Sequence, residues 1–149
     1  MENTILAGPA ATPELIQEVL DWFAQYDRFA ASKDLEAMAD LAAFPLNEVT
    51  DDANGHGMAG LLDRSQYFAQ MAQVISDDEV TMESRRQPIF LSPALCFVVS
   101  DASFTVNGFT QQMRYGDLLI RTAEGWKFQT MVAGGWHDQM SPTPAEGTP

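Results

Sequence analysis

Cysteine occurs once in the 149 residues and histidine twice, and cations are scarce, with 8 Lys and Arg against 21 Asp and Glu. A single cysteine excludes an intrachain disulfide. Cys96 stands in the apolar run Leu95-Cys96-Phe97-Val98-Val99, so core packing is its expected role. The histidines, His56 and His137, lie far apart and have no Cys or Glu at ligand spacing, so no metal site is expected. Gly-rich phosphate loops and nucleophile elbows are also missing, and no cofactor is expected. The shortage of cations leaves a formal net charge of -13. Such a surface repels a phosphate backbone, which argues against nucleic acid as a partner. No run approaches the ~20 apolar residues of a membrane helix. The start, Met1-Glu2-Asn3-Thr4, lacks the basic patch and apolar stretch of a signal peptide, so a cytoplasmic protein is the expectation.

What is present suits one globular domain, with 46% hydrophobic and 19% charged residues. Residues 1–11 show no apolar periodicity and read as a flexible arm. Residues 139–149 read as a tail with too little to bury. The domain between them spans 12–138. Thr12-Pro13 is a helix start, a capping hydroxyl followed by a proline at the first helical position. Leu15, Val19, Trp22, Tyr26 and Phe29 then recur at helical spacing. Ser32-Lys33-Asp34 breaks the helix. Leu35, Met38, Leu41 and Ala42 predict a second, shorter one that Pro45 ends. Leu46–Thr50 predicts a short strand, and residues 51–57 a turn-rich loop. Asp63 with Gln66 forms a capping box for a third helix with the stripe Tyr67/Phe68, Met71 and Val74/Ile75.

The rest reads as four meandering strands: Val80–Leu91, Ala94–Val106, Phe109–Thr122, and Trp126 to about Trp136. Pro88 marks the first of them as an edge or a bulge. Asn107-Gly108 is a two-residue hairpin turn, which fixes the register of the strands it joins. Val98 then opposes Asp117, Ser100 opposes Tyr115, and Cys96 opposes Leu119. Asp117 therefore falls in a mostly apolar row, where a carboxylate must be bonded, paired or protonated. The other face carries Leu95, Phe97, Val99, Leu118 and Ile120, with Asp101 directly across from Arg114. Helices cover only one face, so the second face predicts a homodimer packed sheet to sheet.

Three stretches carry a family resemblance. They are Tyr26-Asp27-Arg28-Phe29-Ala30-Ala31-Ser32-Lys33-Asp34-Leu35-Glu36-Ala37-Met38, then Phe44-Pro45-Leu46 with Asp63, and Gly116-Asp117-Leu118-Leu119-Ile120-Arg121-Thr122-Ala123-Glu124-Gly125-Trp126-Lys127-Phe128. Over roughly residues 13–137 the element order resembles the nuclear transport factor 2-like superfamily, with its SnoaL-like cyclases and ketosteroid isomerases. The resemblance implies an α+β roll of cystatin-like type. In it a cone-shaped, curved antiparallel sheet wraps a long N-terminal helix, accompanied by two short helices and enclosing a pocket for a small apolar molecule. It also implies an isomerase, cyclase or dehydratase acting on an apolar carbonyl compound. The alternative is a non-catalytic ligand-binding or dimeric accessory domain on the same fold.

On the ketosteroid isomerase pattern, Tyr26 and a protonated Asp117 would hold the carbonyl oxygen. Thr50 falls at the position of the base, and Asp51 reaches it only by a one-residue shift. The usual Asp-Pro is replaced by Asp51-Asp52-Ala53. His56, between two glycines, is the other candidate for moving a proton. Trp22, Phe68, Met71, Val98, Met113, Tyr115 and Trp136 are candidate pocket walls, and His137 a candidate for its mouth. Arg85 and Arg86 must face opposite ways on a strand, with Glu83 or Asp101 the expected partner.

Overall fold

A computed structural model describes residues 7–74 and 80–135 of the chain. Residues 1–6, Ile75, Trp136, His137 and the tail 139–149 lie outside the described residues. Helix α1 (Pro13–Ala31) opens with Thr12 Oγ1 accepting from Leu15 N at 3.1 Å, as the capping motif requires. It buries Val19, Trp22 and Phe23, with Leu15, Ile16 and Tyr26 packed beside them. The chain turns at Lys33, whose φ is 60°, and Asp34 caps α2 (Leu35–Asp40) by accepting from Ala37 N at 3.1 Å. The third helix, α3 (Arg64–Val74), starts on a reciprocal box. Asp63 N donates to Gln66 Oε1, and Gln66 N donates to Asp63 Oδ1, both at 2.8 Å.

The strands are β1 (Ala42–Asp51), β2 (Gly57–Leu62), β3 (Val80–Ser92), β4 (Leu95–Val106), β5 (Phe109–Thr122) and β6 (Gly125–Ala133). They form one curved, unclosed sheet in the order β2-β1-β6-β5-β4-β3. The α+β roll expected from the sequence is therefore the fold. The β4–β5 register is the one the Asn107-Gly108 turn dictates, and both turn residues have positive φ (53° and 85°). Pro88 lies on edge strand β3, opposite Val98.

Four local expectations change. The second helix ends at Asp40, short of Pro45. Pro45, after a cis peptide bond, lies inside β1, where the β1–β6 register slips between Ala42 and Asn47 and no ladder bond depends on its nitrogen. The expected loop 51–57 is cut short at both ends, because Asp51 belongs to β1 and Gly57 opens strand β2 (Gly57–Leu62) on the sheet edge. Its two glycines and mostly exposed side chains left no alternation to read. The sheet is not wholly antiparallel, because β1 runs parallel to β6. Finally, residues 7–11 pack down. Ala7 is buried, Ala10 and Ala11 touch the core, and Gly8 has φ +95°. A Cβ on Gly8 would stand 2.5 Å from the Phe90 carbonyl oxygen, so only glycine fits there.

One face of the sheet, the inner face, packs on the helices. There Cys96, Val98, Leu119 and Phe128 join Val19, Phe23 and Leu46 in the core. Each such side chain contributes roughly 2 kcal/mol by leaving water.

Candidate functional site

Register places the functional groups in two adjacent rows on the inner face. One row is Arg86 (β3), Ser100 (β4) and Tyr115 (β5). The next is Pro88, Val98, Asp117, Met131 and Glu48, crossing five strands from β3 to β1. Helix α1 adds Trp22, Tyr26 and Asp27, and α3 adds Tyr67 and Gln70.

A bulge decides which arginine faces in. Ser92 pairs with Leu95, yet Phe90 pairs with Cys96, so Leu91 is an extra residue. Without it Arg85, not Arg86, would share the face of Asp117. The side chain of Arg86 is only 7% exposed. It donates to Asp27 Oδ2 from Nη1 at 2.6 Å and to Asp27 Oδ1 from Nη2 at 3.2 Å. Its Nε donates to Ser100 Oγ at 3.2 Å, its Nη2 reaches Tyr115 Oη at 3.3 Å, and the guanidinium lies 4.3 Å over the Phe23 ring. Burial alone would lower its pKa, but the Asp27 carboxylate outweighs burial and raises it. The partner expected from the sequence was Glu83 or Asp101. Asp101 instead binds Arg114 through two bonds of 2.7 and 2.9 Å on the opposite face, as the hairpin register required.

Asp117 is 4% exposed. Burial pushes its carboxyl up to about 8, and the Arg86 charge holds it below where burial alone would put it. It is therefore mostly protonated at neutral pH. Tyr26 packs against Trp22 and edge-on to Phe128, with ring centroids 4.9 Å apart in the second pair. Burial, then Tyr67 and Asp117, raise its phenol well above the ordinary value. Burial likewise takes Tyr67 to about 12 and raises Tyr115. Tyr26 and Tyr67 lie close enough for each hydroxyl to act on the other's ionisation. Among the described residues, Tyr67 Oη and Trp22 Nε1 are buried without a hydrogen-bond partner. The cluster thus presents several acids, all carrying their protons, and two unused donors.

The other expected residues divide. Val98 and Trp22 are buried beside the cluster, and Met71 packs on the core. Phe68 is half-buried on α3. Met113 lines a concavity of about 630 Å³ formed by residues 83–85, 101–103 and 112–114. Tyr26, Tyr67 and Asp117 do not line that concavity, and the buried acids, not its surface charges, mark the candidate site. Asp51 is not brought to the cluster. It shares the outer face with Val49, is exposed, and accepts from Gly135 N at 2.7 Å. His56 is exposed in the β1–β2 turn, where its backbone N–H donates to Asp52 Oδ1 at 3.0 Å. Sequence reading did not single out Glu48. Its carboxylate accepts a short hydrogen bond from Gln70 Nε2. Burial raises its pKa, and the Gln70 bond opposes that rise. Glu48 on a strand next to Asn47 and Val49 was the available signal, since alternation puts it on the face opposite theirs.

Among the described residues, no group of three or more His, Cys, Asp or Glu is placed to hold a metal ion, and no helix is long and apolar enough to cross a membrane.

No protein-family profile and no curated protein matches the sequence. Solved structures do match. Aln2 from a Streptomyces species superposes with a TM-score of 0.65 at 15% identity, over 83% of this chain and 92% of that one. An NTF-2 like protein of unknown function from Shewanella oneidensis MR-1 gives 0.63 at 13%, over 80% and 98%. A protein provisionally assigned as a scytalone dehydratase, from Novosphingobium aromaticivorans DSM 12444, gives 0.58 at 14%, over 78% and 80%. This chain has the nuclear transport factor 2-like fold. At these identities the likeness is one of fold, and the chemistry rests on the cluster itself.

Proposed function

We propose that the inner face of this nuclear transport factor 2-like domain binds a small apolar molecule by a carbonyl oxygen. The reaction proposed is the isomerisation, cyclisation or dehydration of such a compound. The observation that carries this reading is Asp117, 4% exposed, with burial raising its carboxyl to about 8 beside two phenols. A protonated acid in a dry setting donates a hydrogen bond that strengthens as charge develops on the acceptor. Tyr26 supplies a second donor. Trp22, Phe68, Met71, Val98 and Tyr115 would form the walls, Met113 lies instead in the separate concavity, and Trp136 lies outside the described residues. A carbonyl-bearing ligand fits such a site better than a carboxylate, because Asp27 already neutralises Arg86. Among solved structures of this fold, the provisional scytalone dehydratase assignment supports a dehydrating chemistry.

A second reading is a binding domain without catalysis. The placement of Asp51 and His56 favours it, since neither candidate for moving a proton reaches the cluster. In either case the partner expected on the outer face is a second copy of the chain. Native mass spectrometry of the wild type beside Asp117→Asn tests the pocket. Retention of a small apolar molecule by the wild type and its loss by the variant supports the reading. Equal behaviour of the two proteins assigns Asp117 a structural role.

A further inference from the structure

We infer that the concavity on the outer face binds a small zwitterion, a molecule with one carboxylate and one ammonium like an α-amino acid, held between Arg85 and Glu83. This site is separate from the inner-face cluster and does not depend on the carbonyl-binding reading.

The concavity, about 630 Å³ in volume, spans strands β3, β4 and β5 and has the size of a small-molecule cleft. Two cross-strand rows supply its side chains. Arg85, Asp101 and Arg114 stand opposite one another in the first row, and Glu83, Ser103 and Gln112 in the second. Strand alternation aims all six to the outer face, because they share the parity of the Asp101–Arg114 pair. The residues between them, Ser84, Ala102 and Met113, alternate to the inner face and lie in the floor. Strand β6 pairs with β5 only from Tyr115 onward, so residues 112–114 stand at an open edge of the described sheet. A ligand has access there.

The four charges of the concavity are not equally engaged. Arg114 is committed to Asp101, donating from Nε at 2.7 Å and from Nη2 at 2.9 Å. Arg85 acts on Asp101 through its charge alone. Among the described residues, neither Arg85 nor Glu83 has an ion pair or a side-chain hydrogen bond, and both are exposed. They lie two residues apart on one face of β3, about 7 Å along the strand. Their long side chains can close on a molecule that offers a carboxylate to one and an ammonium to the other. A guanidinium fork matches a carboxylate through two parallel bonds, and a carboxylate accepts from an ammonium. The Ser103 hydroxyl and the Gln112 amide, in the row of Glu83, are left for a polar side chain of the ligand.

Charge selects a zwitterion over a simple ion. Two arginines and two acids cancel within the concavity, while the whole chain carries -13. That field repels an anion, and it draws a cation to acids anywhere on the surface. A neutral ligand bearing both charges escapes the field and gains from the local pair.

The test is a backbone-amide NMR titration of the full chain with L-serine. Glycerate, which lacks the ammonium, and serinamide, which lacks the carboxylate, are titrated in parallel. The expected result is saturable shifts at residues 83–85, 101–103 and 112–114 with L-serine. Each of the other two probes should bind about tenfold more weakly, the scale of one charged hydrogen bond. Arg85→Gln should weaken L-serine by a similar factor. Glu83→Gln should weaken L-serine yet strengthen glycerate, because it removes a repelling charge. Opposite signs on two probes are not produced by misfolding, and unfolding midpoints check that both variants are folded. No shift of these residues by L-serine at millimolar concentration overturns the inference. Glycerate binding as tightly as L-serine overturns it in favour of an anion site. Serinamide binding as tightly as L-serine overturns it in favour of general attraction to an acidic surface. L-serine binding unchanged by Arg85→Gln also overturns it.

Discussion

Arg86 and Asp27 form a two-bond ion pair that ties the edge strand β3 to helix α1, with Nη1 2.6 Å from Oδ2. The pair sits one row from Asp117, and its net charge is close to zero. Substituting Asp27→Asn keeps the shape but leaves the Arg86 charge uncompensated. That charge favours ionised Asp117, so the Asp117 carboxyl should titrate below its present value of about 8. Carbonyl-carbon NMR of a labelled sample reads the titration directly. The variant should also lose about 2–3 kcal/mol of stability, less than a fully buried pair would cost, because the Asp27 side chain is 29% exposed. An unmoved Asp117 titration would show that Arg86 does not tune the acid.

Asp117 also makes stability depend on pH in an unusual direction. Its pKa is raised from 3.8 to about 8 on folding. Between those values the folded chain keeps a proton that the unfolded chain has released. Stability from this group is therefore complete below about pH 4 and is lost as pH rises toward 8. The slope is at most about 1.4 kcal/mol per pH unit. Exposed pairs such as Asp101–Arg114 act oppositely at low pH, so the contribution is read as wild type minus Asp117→Asn in urea unfolding at several pH values. That difference should shrink steadily from pH 5 to pH 8. A flat difference would place Asp117 in a better-solvated setting.

Much of this site follows from local chemistry in the sequence. Asn107-Gly108 sets the β4–β5 register, and the register puts Asp117 among Val98 and Leu119. The helix stripe from Leu15 to Tyr26 then has to cover that face. The inward choice between Arg85 and Arg86 depends on the single-residue bulge at Leu91, and no motif announces it. The contribution of Tyr67 is hidden because the helix stripe cannot separate a core aromatic from a site hydroxyl. Glu48 was obscured by distance in sequence. Its relation to Asp117 passes through Met131 and through the parallel pairing of β1 with β6, which joins segments some 80 residues apart.

Tyr67→Phe separates stability from recognition. The Tyr67 hydroxyl is buried and unpartnered among the described residues, so removing it relieves a desolvated polar group. The variant should be as stable as wild type or about 1 kcal/mol more stable. If the hydroxyl serves a ligand, the same variant should bind an apolar ketone probe such as 2-tetralone several-fold more weakly. Calorimetric unfolding and a binding titration on one preparation decide it. Lower stability together with unchanged binding would mark Tyr67 as a core residue bonded in solution.

The outer face gives the last prediction. Leu95 is 41% exposed there, beside Phe97, Val99, Leu118 and Ile120. Gly116 lets the Phe97 ring lie across the sheet, since a Cβ at that position would stand 2.6 Å from the ring edge. This makes an apolar surface in the middle of the sheet, flanked by the exposed Asp101–Arg114 pair. The chain should sediment as a dimer at micromolar concentration. Leu118→Lys puts a charge at the centre of the face without touching the inner core, and should give a folded monomer. A monomeric wild type would end the sheet-to-sheet dimer. A dimer unaffected by Leu118→Lys would move the contact to another surface.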